Sequence, residues 1–156
     1  MRLLLLVAAL ACAHSPERVP WPPPAIQPST RAPAIVTLDR GECFGSCPMY
    51  TVVVYADGAV DWLGALYVKE VGQRTKVLSP EQAQQIRKVL QPLAAFDDRI
   101  HLCSDSPWVT VQAASVTRRT QLCGQPGEKP LHDLAERLDQ LIGTAEWLGK
   151  PEERKH

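Results

Sequence analysis

The sequence has no excess of charge of either sign. Seventeen lysines and arginines balance seventeen aspartates and glutamates, which gives a formal net charge of +0 over 156 residues. Proteins that hold phosphate backbones or anionic lipid by charge need a basic surplus. The balance therefore argues against a nucleic-acid partner, and it leaves proteins, glycans and small ligands open.

The sequence also has no apolar run long enough to span a membrane. The run from Leu3 to Ala11 is unbroken, but a transmembrane helix needs about 20 apolar residues. A short run of this kind behind a positive charge, here Arg2, is typical of a signal peptide. We therefore predict a leader over residues 1–11 and export of the remainder.

Common catalytic and metal-binding motifs are missing as well. The sequence contains no His-Glu-x-x-His or His-x-x-Glu-His pattern, no Gly-x-Ser-x-Gly elbow and no phosphate-binding glycine loop. Its histidines are scattered over a tether, a loop, a helix start and a tail. No cofactor is predicted, and a non-enzymatic role is favoured over catalysis.

The leader ends in a possible lipid attachment site. Ala9-Leu10-Ala11-Cys12 resembles the bacterial lipoprotein cleavage box, in which a lipidated cysteine becomes the new N-terminus. The alternative is ordinary cleavage within residues 11–13, which discards Cys12. The chain has five cysteines, and lipid on Cys12 would leave an even number to pair in an oxidising compartment. We expect a lipid anchor in the cell envelope, facing the periplasm, with the membrane as a partner.

The remaining chain divides by composition. Residues 12–33 are rich in proline, which removes amide donors and favours extended geometry, so they are predicted to form a semi-rigid tether. Residues 34–149 are predicted to be a single folded domain. Residues 150–156 are predicted to be a charged tail that frays.

Within the domain, the sequence predicts a group of strands, then a helix, then two more strands and a second helix. Apolar and β-branched residues predict strands at 34–38, 48–56, 59–63, 66–68 and 74–78, with a loop at 39–46 and a bend at Gly64. A second hairpin is predicted over 108–112 and 116–123. The order predicts an α+β fold with a mainly antiparallel sheet, formed by a meander and a second hairpin, and two helices.

Both helices have recognisable sequence signals. Ser79-Pro80-Glu81-Gln82 predicts a capped start, and Pro92 predicts a stop or kink at Gln91. The last helix is predicted to begin near Pro130. Its core-facing stripe continues to Ala145.

The four later cysteines are predicted to form disulfides. Cys103 and Cys123 lie at nearly equal distances on either side of a turn centred near residue 114, so a bond across the hairpin is feasible. Cys43–Cys47 with Cys103–Cys123 is the favoured pairing, although the sequence allows two others. Two alternatives are a thiol redox centre in the Cys43–Cys47 loop and a metal site built from Cys43, Cys47 and Cys103 with Cys123 or His101.

The stretch Cys43-Phe44-Gly45-Ser46-Cys47-Pro48-Met49-Tyr50, followed by Asp57-Gly58, resembles a bacterial family of unknown function. Its members open with Cys-Phe-Gly-x-Cys-Pro-x-Tyr, then a strand and an Asp-Gly turn, and many look like exported lipoproteins. The resemblance extends over about residues 34–147 and implies no catalytic residue.

Two hypotheses for the function follow. The favoured one is a tethered binding or structural module of the envelope, whose ligand is an unknown protein, glycan or small molecule. Trp62, Tyr67 and Trp108 are candidates to line a ligand groove, although such residues more often pack in the core. The alternative is an exported thiol-redox or metal-binding protein that uses the Cys43–Cys47 loop.

Overall fold

The computed structural model describes residues 25–97, 103, 105–125 and 127–155. The predicted leader and Cys12 lie outside these residues. The strands are β1 Ala34–Arg40, β2 Met49–Tyr55, β3 Ala59–Leu66, β4 Gly72–Val77, β5 Trp108–Ala113 and β6 Val116–Gln121. The helices are α1 Pro80–Val89, α2 Lys129–Ile142 and a short α3 Ala145–Leu148, with 3-10 turns at Gln91–Ala95 and Pro151–Glu153.

All six strands form one antiparallel sheet in the order β4-β3-β2-β1-β5-β6. Strands β1 to β4 are the predicted meander, and the β5–β6 hairpin joins it beside β1. The predicted α+β class with a mainly antiparallel sheet and two main helices is confirmed. No helix in the described part of the chain is both long enough and apolar enough to cross a bilayer.

The two faces of the sheet differ because side chains alternate along each strand. One face, here called the rear face, packs against α1 and α2 through residues that include Val36, Leu38, Val52, Trp62 and Val109. The opposite face, here called the front face, carries polar residues and a few apolar ones that lie outside this core. The upper end of the sheet is defined as the end where β1 finishes and β2 begins.

Helix α1 forms as its sequence predicts. The Ser79 hydroxyl accepts a hydrogen bond from the Gln82 amide at 3.2 Å, and the Gln82 side chain accepts one from the Ser79 amide at 3.0 Å. The helix stops at Val89, and Pro92 lies in the 3-10 turn that follows. The capping box and the stop before the proline are both confirmed.

Helix α2 ends earlier than its apolar stripe suggested. Gly143 takes the left-handed conformation with φ of 76°, which terminates the helix. Ala145, predicted to be the last core position of the stripe, is exposed in α3, so that prediction was wrong. Trp147 is buried instead, with its ring centroid 5.5 Å from that of Trp62.

Strand β3 continues through Gly64, and its pairing with β2 is irregular just beyond it, where Leu66 pairs with Met49. Gly64 pairs with Tyr50 on one side and Gly72 on the other. A Cβ there would collide with the Glu70 carbonyl and approach Trp62 Nε1 to 2.8 Å. The glycine therefore provides room for the β3–β4 loop to fold back on the strand, where the Glu70 carbonyl accepts a hydrogen bond from Trp62.

Both terminal segments pack against the domain. Ser29 donates its amide to Asp61 at 2.8 Å, and Thr30 donates its hydroxyl to Asp57 at 2.6 Å, so part of the predicted tether lies along the sheet. At the other end, Lys155 exchanges backbone hydrogen bonds with the β3–β4 loop at Tyr67 and Val68. The tail expected to fray is therefore paired up to Lys155.

Candidate functional site

A groove of about 230 Å³ lies on the front face near the upper end of the sheet. Apolar residues on β2 and β3 line one side of it (Met49, Leu63 and Ala65), and Trp108 and Arg119 on β5 and β6 line the other side. Asp39 on β1 lies between these two sides. An apolar depression with a few converging polar groups is the usual form of a ligand site.

A second depression, of about 430 Å³, lies at the opposite end of the sheet beside the 3-10 turn after α1. Arg87 is the charged residue in its lining, and its guanidinium is already hydrogen-bonded to the Ala56 carbonyl at 2.9 Å. This depression is larger, but Arg87 and Gln91 are the polar side chains of its lining, and it has no carboxylate. The upper groove is therefore the better candidate site.

Asp39 reaches the groove because β1 is longer than predicted. The sequence placed Asp39 in a loop, whereas the strand continues to Arg40. Alternation then points Asp39 to the front and Arg40 to the rear. The Asp39 carboxylate accepts a hydrogen bond from the Thr51 hydroxyl at 2.7 Å.

Trp108 and Arg119 line the side of the groove on β5 and β6, beyond Asp39. Trp108 begins β5, and the next front-face residue of that strand is Thr110. Arg119 on β6 pairs with Thr110. The Arg119 guanidinium carbon lies 3.9 Å above the Trp108 ring centroid. This cation–π contact orients the guanidinium while leaving its N–H donors exposed.

The Cys43–Cys47 loop borders the groove. Gly41 donates its amide to the Trp108 carbonyl at 2.8 Å, and a Cβ at Gly41 would lie 3.0 Å from Trp108 Cβ. The loop then closes through the disulfide, with Cα atoms 5.8 Å apart, and presents Phe44 to solvent with 88% of the residue exposed. An exposed aromatic ring on a crosslinked loop is preorganised for contact with a partner.

The second disulfide joins Cys103 to Cys123, with Cα atoms 5.7 Å apart. Together with Cys43–Cys47 this is the favoured pairing. The bond lies outside the hairpin ladder, because β5 begins at Trp108 and β6 ends at Gln121. It therefore ties the loop before β5 to the loop after β6.

A buried polar network lies on the rear face behind the groove. Asp139 on α2 accepts hydrogen bonds from Arg40 at 2.7 Å, Tyr50 at 2.9 Å and Thr144 at 2.9 Å. Burial raises the pKa of Tyr50 above its ordinary value, and the Asp139 carboxylate raises it further. The tyrosine is therefore a neutral donor, and the network joins α2 to the sheet.

The arrangement of the four later cysteines favours neither of the two alternatives. The four described cysteines are bonded in pairs, and β2 rather than a helix follows Cys47. A helix N-terminus would have lowered the pKa of a thiol there. In the described part of the chain no three His, Cys, Asp or Glu side chains are grouped to hold a metal. His101 lies outside the described residues.

Comparison with known families identifies the domain. The model of the family described as Domain of unknown function (DUF6438) matches residues 34–142, from the start of β1 to the end of α2. The chain belongs to the DUF6438 family. No curated protein and no solved structure matches it.

The DUF6438 match includes both disulfides and all the residues that line the groove, but it stops before α3. Trp147 therefore lies outside the matched span. Its ring nevertheless packs on Trp62, and the Lys76 ammonium lies 4.4 Å from the Trp147 ring centroid. The short helix extends the core of this DUF6438 domain at its C-terminal end.

Sequence reasoning found part of the DUF6438 groove. Of the three aromatic candidates, Trp108 lines it, Trp62 is fully buried in the core, and Tyr67 lies in the β3–β4 loop. Asp39 and Arg119 were missed. If the strand alternation of Thr37 and Leu38 is extended by one residue, it places Asp39 on the front face. For Arg119 there is no such signal, because nothing in the local sequence distinguishes it from its neighbour Arg118.

Proposed function

We propose that this protein is an exported binding module of the cell envelope, held on the membrane by lipid on Cys12. Residues 12–33 link the anchor to the domain, and the front-face groove binds the partner. The role is non-enzymatic, and the domain faces the periplasm. The partner is a protein, a glycan or a small ligand of the envelope.

The observation that carries this proposal is the groove between the Cys43–Cys47 loop and Trp108. It combines an apolar side, charged residues and an exposed aromatic ring on a crosslinked loop. These features favour recognition of a partner by a preorganised surface.

Export is supported by the two disulfides. Such bonds persist in oxidising compartments and are rare in the cytosol. The four cysteines they use leave Cys12 as the odd one of five. A single cysteine after a short apolar run is the position at which lipid is attached.

The anchor is tested by Cys12→Ala in the full chain expressed in a bacterial host. We expect the wild-type protein in the membrane fraction and the variant in the soluble periplasmic fraction. Ala13→Ser, which keeps the cysteine, is the matched control and should stay with the membrane. Unchanged fractionation of Cys12→Ala would contradict the lipid anchor.

A further inference from the structure

The groove holds opposite charges two strands apart. Thr51, Asp39, Thr110 and Arg119 stand in one row across β2, β1, β5 and β6, because each pairs with the next in register. Asp39 and Arg119 are two strands apart, which separates their backbones by about 10 Å. Both side chains point to the front.

The positive side is a guanidinium held ready for an anion. Arg119 is exposed and stacks on Trp108. Within the described residues it has no ion-pair partner and donates no hydrogen bond. A planar guanidinium fixed in this way presents parallel N–H donors, the arrangement that recognises a carboxylate.

The negative side has two carboxylates without a cation. Asp39 accepts one hydrogen bond, from Thr51, and forms no ion pair with any described residue. Glu42 is exposed at the rim of the groove and likewise has no cationic partner in the described parts of the chain. Together they favour an ammonium or guanidinium of a ligand.

Strand β5 lies between the two charges, with Thr110 in the same row and Trp108 beside it. The apolar residues Met49, Leu63 and Ala65 lie on β2 and β3, on the far side of Asp39 from Arg119. The volume of about 230 Å³ is below the roughly 300–1,000 Å³ of drug-sized pockets. The groove therefore suits a short ligand with a carboxylate at Arg119, a cationic group at Asp39 and an apolar group directed toward β2 and β3.

These features select one class of ligand. A nucleic acid would meet repulsion from Asp39 and Glu42, and a neutral sugar would find the Trp108 face covered by Arg119. We propose that the groove binds short dipolar peptides, with a cationic group at Asp39 and Glu42 and a carboxylate at Arg119. This inference rests on the proposed binding function and names its ligand.

The test is calorimetric titration of the purified full-length protein with the tripeptide Ala-Lys-Ala. Three forms of the peptide are compared: free, amidated at the C-terminus, and acetylated at both amino groups. We expect the free form to bind at least about tenfold more tightly than either capped form, since each cap removes a charge-assisted hydrogen bond.

Two variants assign the ends of the peptide. Arg119→Gln should weaken binding of the free form about tenfold and leave the amidated form unchanged, because the amide has already lost the contact with Arg119. Asp39→Asn, which preserves an acceptor for Thr51, should weaken the free form and leave the acetylated form unchanged. Arg137→Gln on the exposed side of α2 is the matched control and should bind like wild type.

Equal affinity for free and capped peptides, or no effect of Arg119→Gln on the free form, would overturn the dipolar assignment while leaving the groove a binding site. No binding of any form would reject the peptide class. Neither result affects the fractionation of Cys12→Ala, so failure of this inference is separable from failure of the anchor.

Discussion

Asp39 and Arg40 are neighbours in the chain with opposite surroundings. Asp39 faces the groove, whereas Arg40 is buried against Asp139, with 12% and 17% of the two side chains exposed. Because side chains alternate along a strand, these adjacent residues have different roles: Asp39 is proposed to bind a ligand, and Arg40 holds helix α2 in place. The same alternation explains why Tyr50, within the cysteine motif, serves the core rather than the groove.

The buried pair gives a prediction about stability. Asp139→Asn should lower the free energy of unfolding by about 3 kcal/mol, because it leaves the Arg40 charge without a counterion in a buried position. Asp133→Asn, on the same helix but in an exposed pair with Lys129, should change it by less than about 1 kcal/mol. Urea unfolding of both variants measures the difference, and similar values would show that the network is not stabilising.

His132 gives a prediction about pH. Burial lowers the pKa of His132 below its ordinary value, and the nearby Arg40 lowers it further, while Glu136 and Asp133 oppose the shift. The unfolded chain therefore takes up this proton at a higher pH than the folded one. As pH falls through the ordinary histidine range, stability should fall until the folded pKa is passed.

Urea midpoints at pH 7.5 and pH 5.5 test this. The wild-type protein should be less stable at the lower pH, and His132→Gln should show a smaller difference between the two conditions. If the variant shows the same pH dependence as wild type, His132 is not responsible for it.

Helix ends and turns were predictable where the sequence signal for them lies within a few neighbouring residues. The Ser79 capping box, the stop before Pro92 and the Asp57-Gly58 turn all depend on residues a few positions apart, and all are present. The end of α2 was not predicted, since a glycine inside an apolar stripe is tolerated in many helices. The length of β1 was missed because its last residues are held by partners distant in the chain, Tyr50 and Val109.

The candidate site was harder to predict than the elements. The cysteine loop and Trp108 were found, because their residue types are distinctive. Asp39 and Arg119 were not, since their proximity depends on β5 pairing with β1, and that order of strands has no local sequence signal. The Asp139 network was missed for the same reason.

The two disulfides close loops of different length and should contribute differently to the free energy of unfolding. Cys103 and Cys123 are 20 positions apart, and Cys43 and Cys47 are 4 apart. Loop-closure entropy then predicts that replacing Cys103 and Cys123 with alanine lowers the free energy of unfolding by about 3 kcal/mol. Replacing Cys43 and Cys47 should lower it by about 2 kcal/mol. Thermal unfolding of the two double variants should show the larger loss for Cys103 and Cys123, and an unchanged melting temperature in that variant would contradict the bracing role.

At the scale of the whole molecule, the segment before β1 and the groove share the front face. The Gln27 amide donates a hydrogen bond to Gln73 on β4, which pairs with the groove residue Leu63. The predicted link to the membrane thus approaches the domain on the side that we propose binds the ligand. The rear face, in contrast, is filled by the helices.

The central claim is that this chain is exported, anchored through Cys12 and braced by two disulfides. The intact mass of the protein extracted from membranes tests it most directly. We expect a chain that begins at Cys12 and carries lipid, with no thiol reacting with an alkylating reagent after denaturation. A chain that keeps Met1 to Ala11 and has four alkylated cysteines after Cys12 would contradict the account.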